Sequence, residues 1–154
     1  MYHNTTALEA LGPLVAICWD PWRFMNKQAL FHIDNYATVR AYEVGRSRNC
    51  QLTSTLVRAA GLVATFLNIR LKVLWQRRRS SRGSIIADDL THNLTSACSR
   101  TETLALIHGN ILKFPDPIVS WMTNPSVSYS LGVEMINWLE THMGLQLLPV
   151  LKTQ

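Results

Sequence analysis

The chain has 154 residues, which fits one domain of ordinary size, with or without a tail, and argues against two full domains. Apolar residues make up 47% of it and charged residues 16%, below the roughly 25% of an average soluble domain, so we expect a surface that is partly neutral or covered by a partner. No apolar run approaches the ~18 residues that cross a bilayer, and the start lacks the basic and apolar regions of a signal peptide. We expect an intracellular protein of the cytoplasm or nucleus that does not enter a membrane.

The positive charge is concentrated in one stretch. The net charge is +5, and between Arg40 and Arg82 there are ten of the 15 Lys and Arg residues and a single acid, Glu43. A local excess of positive charge attracts polyanions through Coulomb steering and counterion release, so nucleic acid is the expected partner, with an anionic membrane surface second. A solvated basic face without a ligand is an equally good interpretation of the charge alone.

Hydrophobic periodicity predicts a mixed α/β chain. Helices are expected at Thr5–Trp19, Tyr36–Val44, Gln51–Leu67, Ile85–Asn93 and Leu131–Met143, and strands at Ala29–Asp34 and Ile69–Gln76. Gly12-Pro13 should kink the first helix or mark its true start, because a proline inside a helix removes a backbone hydrogen bond. Ser84 is the expected N-cap of the fourth helix, and segments 22–27, 46–49 and 77–83 are expected loops.

The same patterns predict which side chains are buried. The polar residues expected to face away from the core of the third helix are Thr53, Ser54 and Arg58. Trp75 continues the apolar alternation of its strand and should be buried, and His32 should be a core histidine. The cysteines are an odd number without a C-x-x-C pair, which argues against disulfides and a zinc site and predicts small buried hydrophobes. They are Cys18, Cys50 and Cys98.

Three acidic residues occupy positions in the predicted elements that make them candidates for a functional site. Glu9 lies in the first helix, Asp34 ends the first strand, and Asp88 falls in the first turns of the fourth helix. Each has an ordinary interpretation when taken singly: a surface helix residue, a turn former before Asn35, and an acid favoured by the helix dipole.

Together, however, the segments resemble a known family. The similarity is to the ribonuclease-H-like domain that follows the reverse transcriptase in retroelement polyproteins. It lies in the order of L-E-A-L (8–11), F-H-I-D-N (31–35), G-R-S-R (45–48), L-K-V-L-W (71–75) and I-A-D-D-L-T (86–91). It covers about Ala7 to Asn93 and rests on order and spacing, because no single motif is diagnostic. The resemblance implies an α/β fold with a mixed sheet of five strands flanked by helices, in which Ala29–Asp34 and Ile69–Gln76 are neighbouring strands.

The resemblance also implies a metal site. In that family four carboxylates hold two Mg²⁺ or Mn²⁺ ions that activate water and stabilise the leaving oxygen of an RNA strand paired to DNA. Three of them match Glu9, Asp34 and Asp88, with Asp89 as the alternative to Asp88. The fourth belongs to an opening three-stranded meander, and only eight residues precede Glu9. We therefore expect an incomplete two-metal site that binds ions weakly.

The resemblance also implies that basic residues contact the phosphates of the bound nucleic acid, because an A-form hybrid is normally recognised by its shape and backbone. The residues expected to contact phosphates are Arg46, Arg48, Arg70, Lys72, Arg77, Arg78, Arg79 and Arg82.

We therefore predict a partial ribonuclease-H-like domain over residues 5–94, without its opening strands, and a tail over 95–154 with one or two helices. The expected function is that of a retroelement-derived fragment that binds nucleic acid, either an RNA:DNA hybrid or RNA, and whose isolated chain has little or no endoribonuclease activity. Two alternatives stay open. One is a non-catalytic interaction or structural protein whose open sheet edge is covered by a partner or a second copy. The other is a ribonuclease completed by a chain that supplies the missing strands.

Overall fold

The structure is a computed structural model that describes residues 2–85 and 115–144. In chain order the elements are α1 (Tyr2–Trp19), α2 (Pro21–Phe24), β1 (Gln28–Ile33), α3 (Tyr36–Val44), α4 (Gln51–Phe66), β2 (Arg70–Trp75), α5 (Asp116–Thr123) and α6 (Leu131–Met143). Residues 82–85 are also helical. The described part is therefore mixed α/β and mostly helical, with a two-stranded parallel sheet.

The strands β1 and β2 are parallel neighbours, which confirms the predicted pairing. The register joins Ala29 to Leu71, Phe31 to Val73 and Ile33 to Trp75. A tight hairpin joins only antiparallel strands, so the chain returns to the sheet through α3 and α4. As a result, the carboxyl ends of both strands meet at one edge of the sheet.

Helices cover one face of this sheet. On that face Ala29 and Val73 are 2% and 6% exposed, while Leu30 and His32 on the other face are exposed. The prediction of a core histidine at position 32 is therefore wrong, because alternate residues of a strand point to opposite faces and only one face is covered here. The prediction for Trp75 is also wrong. This residue ends β2 at the margin of the covered face and is 53% exposed.

Helix α1 runs from Tyr2 to Trp19 with Pro13 inside it, so it does not start near Gly12. Leu14 and Ile17, just after the proline, are fully buried in the core. Burying each such side chain stabilises the fold by about 1.5–3 kcal/mol, which offsets the roughly 3 kcal/mol that an interior proline costs.

Helix α4 is buried on more sides than its apolar stripe predicts. Thr53 and Ser54, predicted to face away from the core, are 0% and 1% exposed, whereas Arg58 is exposed as predicted. α1 and α6 both pack on α4. The preceding loop also covers Ser54, whose hydroxyl bonds Ser47, while Arg58 stays exposed, so the polar side of this helix is buried only in part.

The two C-terminal helices share the core of the preceding elements. Their buried residues in this core are Ile118, Trp121, Leu131, Met135, Ile136 and Leu139. The predicted helix over Leu131–Met143 is confirmed, and Cys18 and Cys50 are buried as predicted. Cys98 and the predicted boundary between residues 94 and 95 lie outside the described residues.

Gly132 permits the close approach of α6 to α4. A Cβ there would lie 2.7 Å from Leu62 Cδ2 and 3.3 Å from Leu62 Cβ. We therefore expect Gly132→Val to lower the free energy of unfolding in urea by about 1–3 kcal/mol, because overpacking forces the helices apart. Gly61 is the matched control, since a Cβ there meets nothing within 4 Å. Gly61→Ala should instead stabilise α4 by about 0.5–1 kcal/mol, and equal urea midpoints for the two variants would contradict the packing.

Candidate functional site

Glu9 and Asp34 come together at the carboxyl end of β1. Glu9 belongs to α1, and Asp34 directly follows the strand. Their carboxylates are close enough for the charge of Asp34 to raise the pKa of Glu9. Two of the three acids singled out in the sequence therefore share one place. The third, Asp88, and its alternative Asp89 lie outside the described residues.

Contacts between α1 and α3 fix this geometry. The Tyr42 hydroxyl donates a hydrogen bond to the Ala10 carbonyl, one residue after Glu9. Burial raises the pKa of Tyr42, so the hydroxyl keeps its proton. At the start of α3, Asn35 Oδ1 accepts a hydrogen bond from the Thr38 amide at 3.1 Å and caps the helix. The turn that carries Asp34 is thus held by the cap, and α1 is held against α3.

The pKa of Glu9 is raised chiefly by burial and next by the negative charge of Asp34. Arg78 and a hydrogen bond from the Asn35 side chain oppose these effects. Glu9 Oε2 is buried and has no hydrogen-bond partner within the described residues. Because an unsatisfied buried oxygen is costly, a proton or a cation at this oxygen would stabilise the site.

Arg78 is the cation that the structure places here. Its Nε donates to Asp34 Oδ2 at 3.1 Å, although the two residues are far apart in sequence. Both side chains are partly exposed, at 59% for Arg78 and 31% for Asp34, so water screens the pair. Arg78 therefore neutralises Asp34 and leaves the Glu9 oxygen unsatisfied.

We expect Glu9→Gln to raise the melting temperature at about pH 7 and to have little effect at about pH 3.5, in buffer with EDTA. A raised pKa means that ionising Glu9 costs more in the folded state. This penalty is absent below the ordinary pKa of 4.5 and grows as the pH rises through the folded pKa. At about pH 7 the substitution should raise the free energy of unfolding by about 0.5 kcal/mol. The effect is small because Glu9 is only partly buried. Glu43→Gln, which breaks the exposed pair with Arg40, should give no such gain. A Glu9→Gln gain of equal size at both pH values would contradict the electrostatic explanation.

The carboxylates of Glu9 and Asp34 fit the chemistry of one hard divalent cation. Mg²⁺ and Mn²⁺ prefer oxygen ligands, and a cation would relieve the repulsion between the two acids. Among residues 2–85 and 115–144, however, no three His, Cys, Asp or Glu side chains form a group that could hold a metal ion. Glu9 and Asp34 are therefore a pair of carboxylates without a third ligand of these types among the described residues.

Basic residues predicted to contact phosphates fall into three groups. Arg46 and Arg48 line a pocket at the start of α4. Arg70 and Lys72 lie on the open face of the sheet. Exposed residues after β2 are Arg77, Arg78, Arg79 and Arg82. Arg82 of the last group begins a helix that is capped by Ser81, not by Ser84 as predicted, because the Ser81 hydroxyl accepts a hydrogen bond from the Ser84 amide at 3.2 Å.

Four further residues line the pocket at the start of α4, and none of them is among the predicted site residues. They are Ser47, Gln51, Ser54 and Arg58. Positions 51, 54 and 58 follow the three- and four-residue steps of one helix face. That spacing could have linked Arg58 to the arginines of the preceding loop.

Comparison with protein-family models, curated proteins and solved structures finds no match to this chain. The family resemblance carried by the motifs therefore stays a prediction. Over the part of the chain that the structure describes, none of the helices combines the length and the apolar character of a membrane span.

Proposed function

We propose that the chain is a retroelement-derived, ribonuclease-H-like fragment that binds nucleic acid of the RNA:DNA hybrid type and has an incomplete two-metal site. The observation that supports this most is the meeting of Glu9 and Asp34 beside the carboxyl end of a parallel strand pair. Two carboxylates held together repel each other, and a bound cation is the usual way in which such repulsion is relieved.

Each residue of the site has a distinct role in this proposal. Glu9 and Asp34 would hold the ion, and Asn35 hydrogen-bonds the Glu9 carboxylate and so orients it. When bound, a divalent ion of this kind activates water and stabilises charge on a phosphate group. Arg78 competes with the ion for Asp34, because its guanidinium already bonds Oδ2.

Binding of Mn²⁺, followed by the paramagnetic resonance signal of the free ion, tests the proposal. We expect weak binding, at about millimolar Mn²⁺, that Asp34→Asn abolishes. Arg78→Gln should strengthen it several-fold by removing the competing charge, while Arg77→Gln, the matched control, should leave it unchanged. Circular dichroism would check that each variant keeps its helices. Mn²⁺ binding that persists in Asp34→Asn would contradict the assignment of the site.

The ion pair between Arg78 and Asp34 favours a second candidate, a non-catalytic interaction protein that reuses the fold. The guanidinium supplies the positive charge that Asp34 needs, so this acid is stable without a metal. Leu30 on the open face of the sheet is 51% exposed, and β1 pairs only with β2 among the described residues. An unpaired strand edge is a natural site for a partner strand. Absence of Mn²⁺ binding even in Arg78→Gln would favour this candidate.

A further inference from the structure

A polar pocket with a cavity volume of about 380 Å³ opens between the α3–α4 loop and the first turns of α4. Its lining residues are Arg46, Ser47, Arg48, Gln51, Ser54 and Arg58. The pocket shares no residue with the Glu9–Asp34 site. No carboxylate, aromatic ring or aliphatic side chain belongs to its lining.

The pocket carries an uncompensated positive charge. Its three arginines form no ion pair with an acid of the described residues, and the nearby Glu43 is bound to Arg40 at 2.8 Å. The start of α4 adds to this potential, because its first turn has no acid and Cys50 provides no side-chain cap. Guanidinium groups that converge on a polar cavity attract a compact polyvalent anion.

The backbone of the loop that carries Arg46 and Arg48 is held in place before any ligand binds. Ser54 is 1% exposed, and its hydroxyl accepts the Ser47 amide at 2.8 Å and donates to the Ser47 carbonyl at 3.1 Å. This double contact, which we call the Ser54 clamp, fixes the residue between Arg46 and Arg48. The Arg58 guanidinium lies over the Tyr129 ring at 5.7 Å from its centroid. A prepared pocket loses less entropy on binding than flexible surface arginines do.

We infer that this pocket binds a phosphate group, which is that of the nucleic-acid backbone if the proposed function holds. Three planar guanidinium groups match the several oxygens of a phosphate, whereas a carboxylate presents only two. Because the lining offers no ring for a base to stack on, the pocket recognises the phosphate and not the base. It therefore contributes affinity without sequence preference.

Titration of the full chain with inorganic phosphate, with acetate at equal ionic strength as the carboxylate comparison, tests the pocket by calorimetry. We expect phosphate to bind, acetate to bind at least tenfold more weakly, and Arg58→Gln to weaken phosphate binding at least tenfold. Arg58→Lys should recover part of the loss, because it keeps the charge and loses the planar fork. Arg23→Gln, at an exposed arginine that is paired with Asp20 and lies outside the pocket, should leave phosphate binding unchanged.

Ser54→Ala gives a second, independent readout, because it removes the clamp and keeps all three charges. We expect it to weaken phosphate binding several-fold, with circular dichroism confirming the fold. Equal affinity for acetate and phosphate, or unchanged phosphate binding in Arg58→Gln, would overturn the proposal that the pocket binds phosphate. Loss of phosphate binding in Arg58→Gln would support the phosphate pocket even if the chain bound neither Mn²⁺ nor the hybrid. The phosphate pocket and the proposed function are therefore tested separately.

Discussion

Affinity of the chain for an RNA:DNA hybrid is expected to fall by about two to three orders of magnitude when salt rises from about 50 to 200 mM. The pocket of Arg46, Arg48 and Arg58 accounts for one phosphate, and each of four exposed residues accounts for a further one: Arg70, Lys72, Arg77 and Arg82. Roughly five phosphate contacts would give a slope near −4.5 in a plot of log affinity against log salt. Fluorescence anisotropy with a labelled hybrid measures this slope, and affinities for hybrids of different sequence should agree closely.

Charge reversal should identify the residues responsible. We expect Arg46→Glu with Arg48→Glu to reduce affinity about a hundredfold or more at about 100 mM salt. Arg23→Glu is the matched control, because this exposed arginine is already paired with Asp20 and lies outside the basic stretch. An unchanged affinity in the double variant would contradict phosphate binding through the pocket.

Reversal of Arg77, Arg78 and Arg79 should also weaken hybrid binding strongly, but the structure complicates its interpretation. Arg78 bonds Asp34, so its reversal places a third negative charge beside Glu9 and Asp34. Loss of binding in the triple variant would then mix lost phosphate contacts with a disturbed site. Arg77→Glu alone avoids this difficulty, and it should lower the salt slope by about one.

Cleavage of an RNA:DNA hybrid by the 154-residue chain is expected to stay at or near background with Mg²⁺ and with Mn²⁺. The two-ion mechanism needs ligands for both ions, and the described residues bring together only two carboxylates, with Arg78 bound to one of them. Product analysis on a denaturing gel gives the rate, and Asp34→Asn provides the matched inactive variant. Robust cleavage by the chain that Asp34→Asn abolishes would contradict this expectation.

A fusion of the chain behind a three-stranded meander that carries an aspartate tests the same point from the other side. If that aspartate supplies the ligand implied by the family resemblance, the fusion should cleave the hybrid at least a hundredfold faster than the chain alone. The fusion with Asp34→Asn should be inactive. Cleavage by the fusion would support a ribonuclease over a non-catalytic interaction protein, and no cleavage in either protein would favour the latter.

Local signals in the sequence predict several element boundaries well. The helix over Tyr36–Val44 begins after Asn35, whose side chain caps it, and ends at Gly45 with φ of 87°. Both signals act within a few residues, so the sequence alone identifies them. Local signals do not predict the pairing of β1 with β2 or the proximity of Glu9 to Asp34. Predicting these two features required the order of motifs along the chain.

Features that depend on packing between an element and its neighbours were not predicted. Ser54 reads as a solvent-facing helix residue, yet it is buried and clamps the loop before its own helix. The exposure of His32 and Trp75 depends on which parts of the sheet the helices cover. Arg78 was expected to contact phosphate, and its bond to Asp34 depends on the strand register that brings the two strand ends together.

The Ser54 clamp spans seven positions in the chain, whereas the ion pair of Arg78 with Asp34 spans 44. Closing a short loop costs less chain entropy and occurs faster, so the clamp can form while the sheet is still unpaired. The cluster of Glu9, Asp34 and Arg78 forms only after α1, α3 and both strands have packed together. In native-state hydrogen exchange, the Ser47 amide should therefore stay protected in partly opened states at low denaturant, while the site at Asp34 is lost with the sheet.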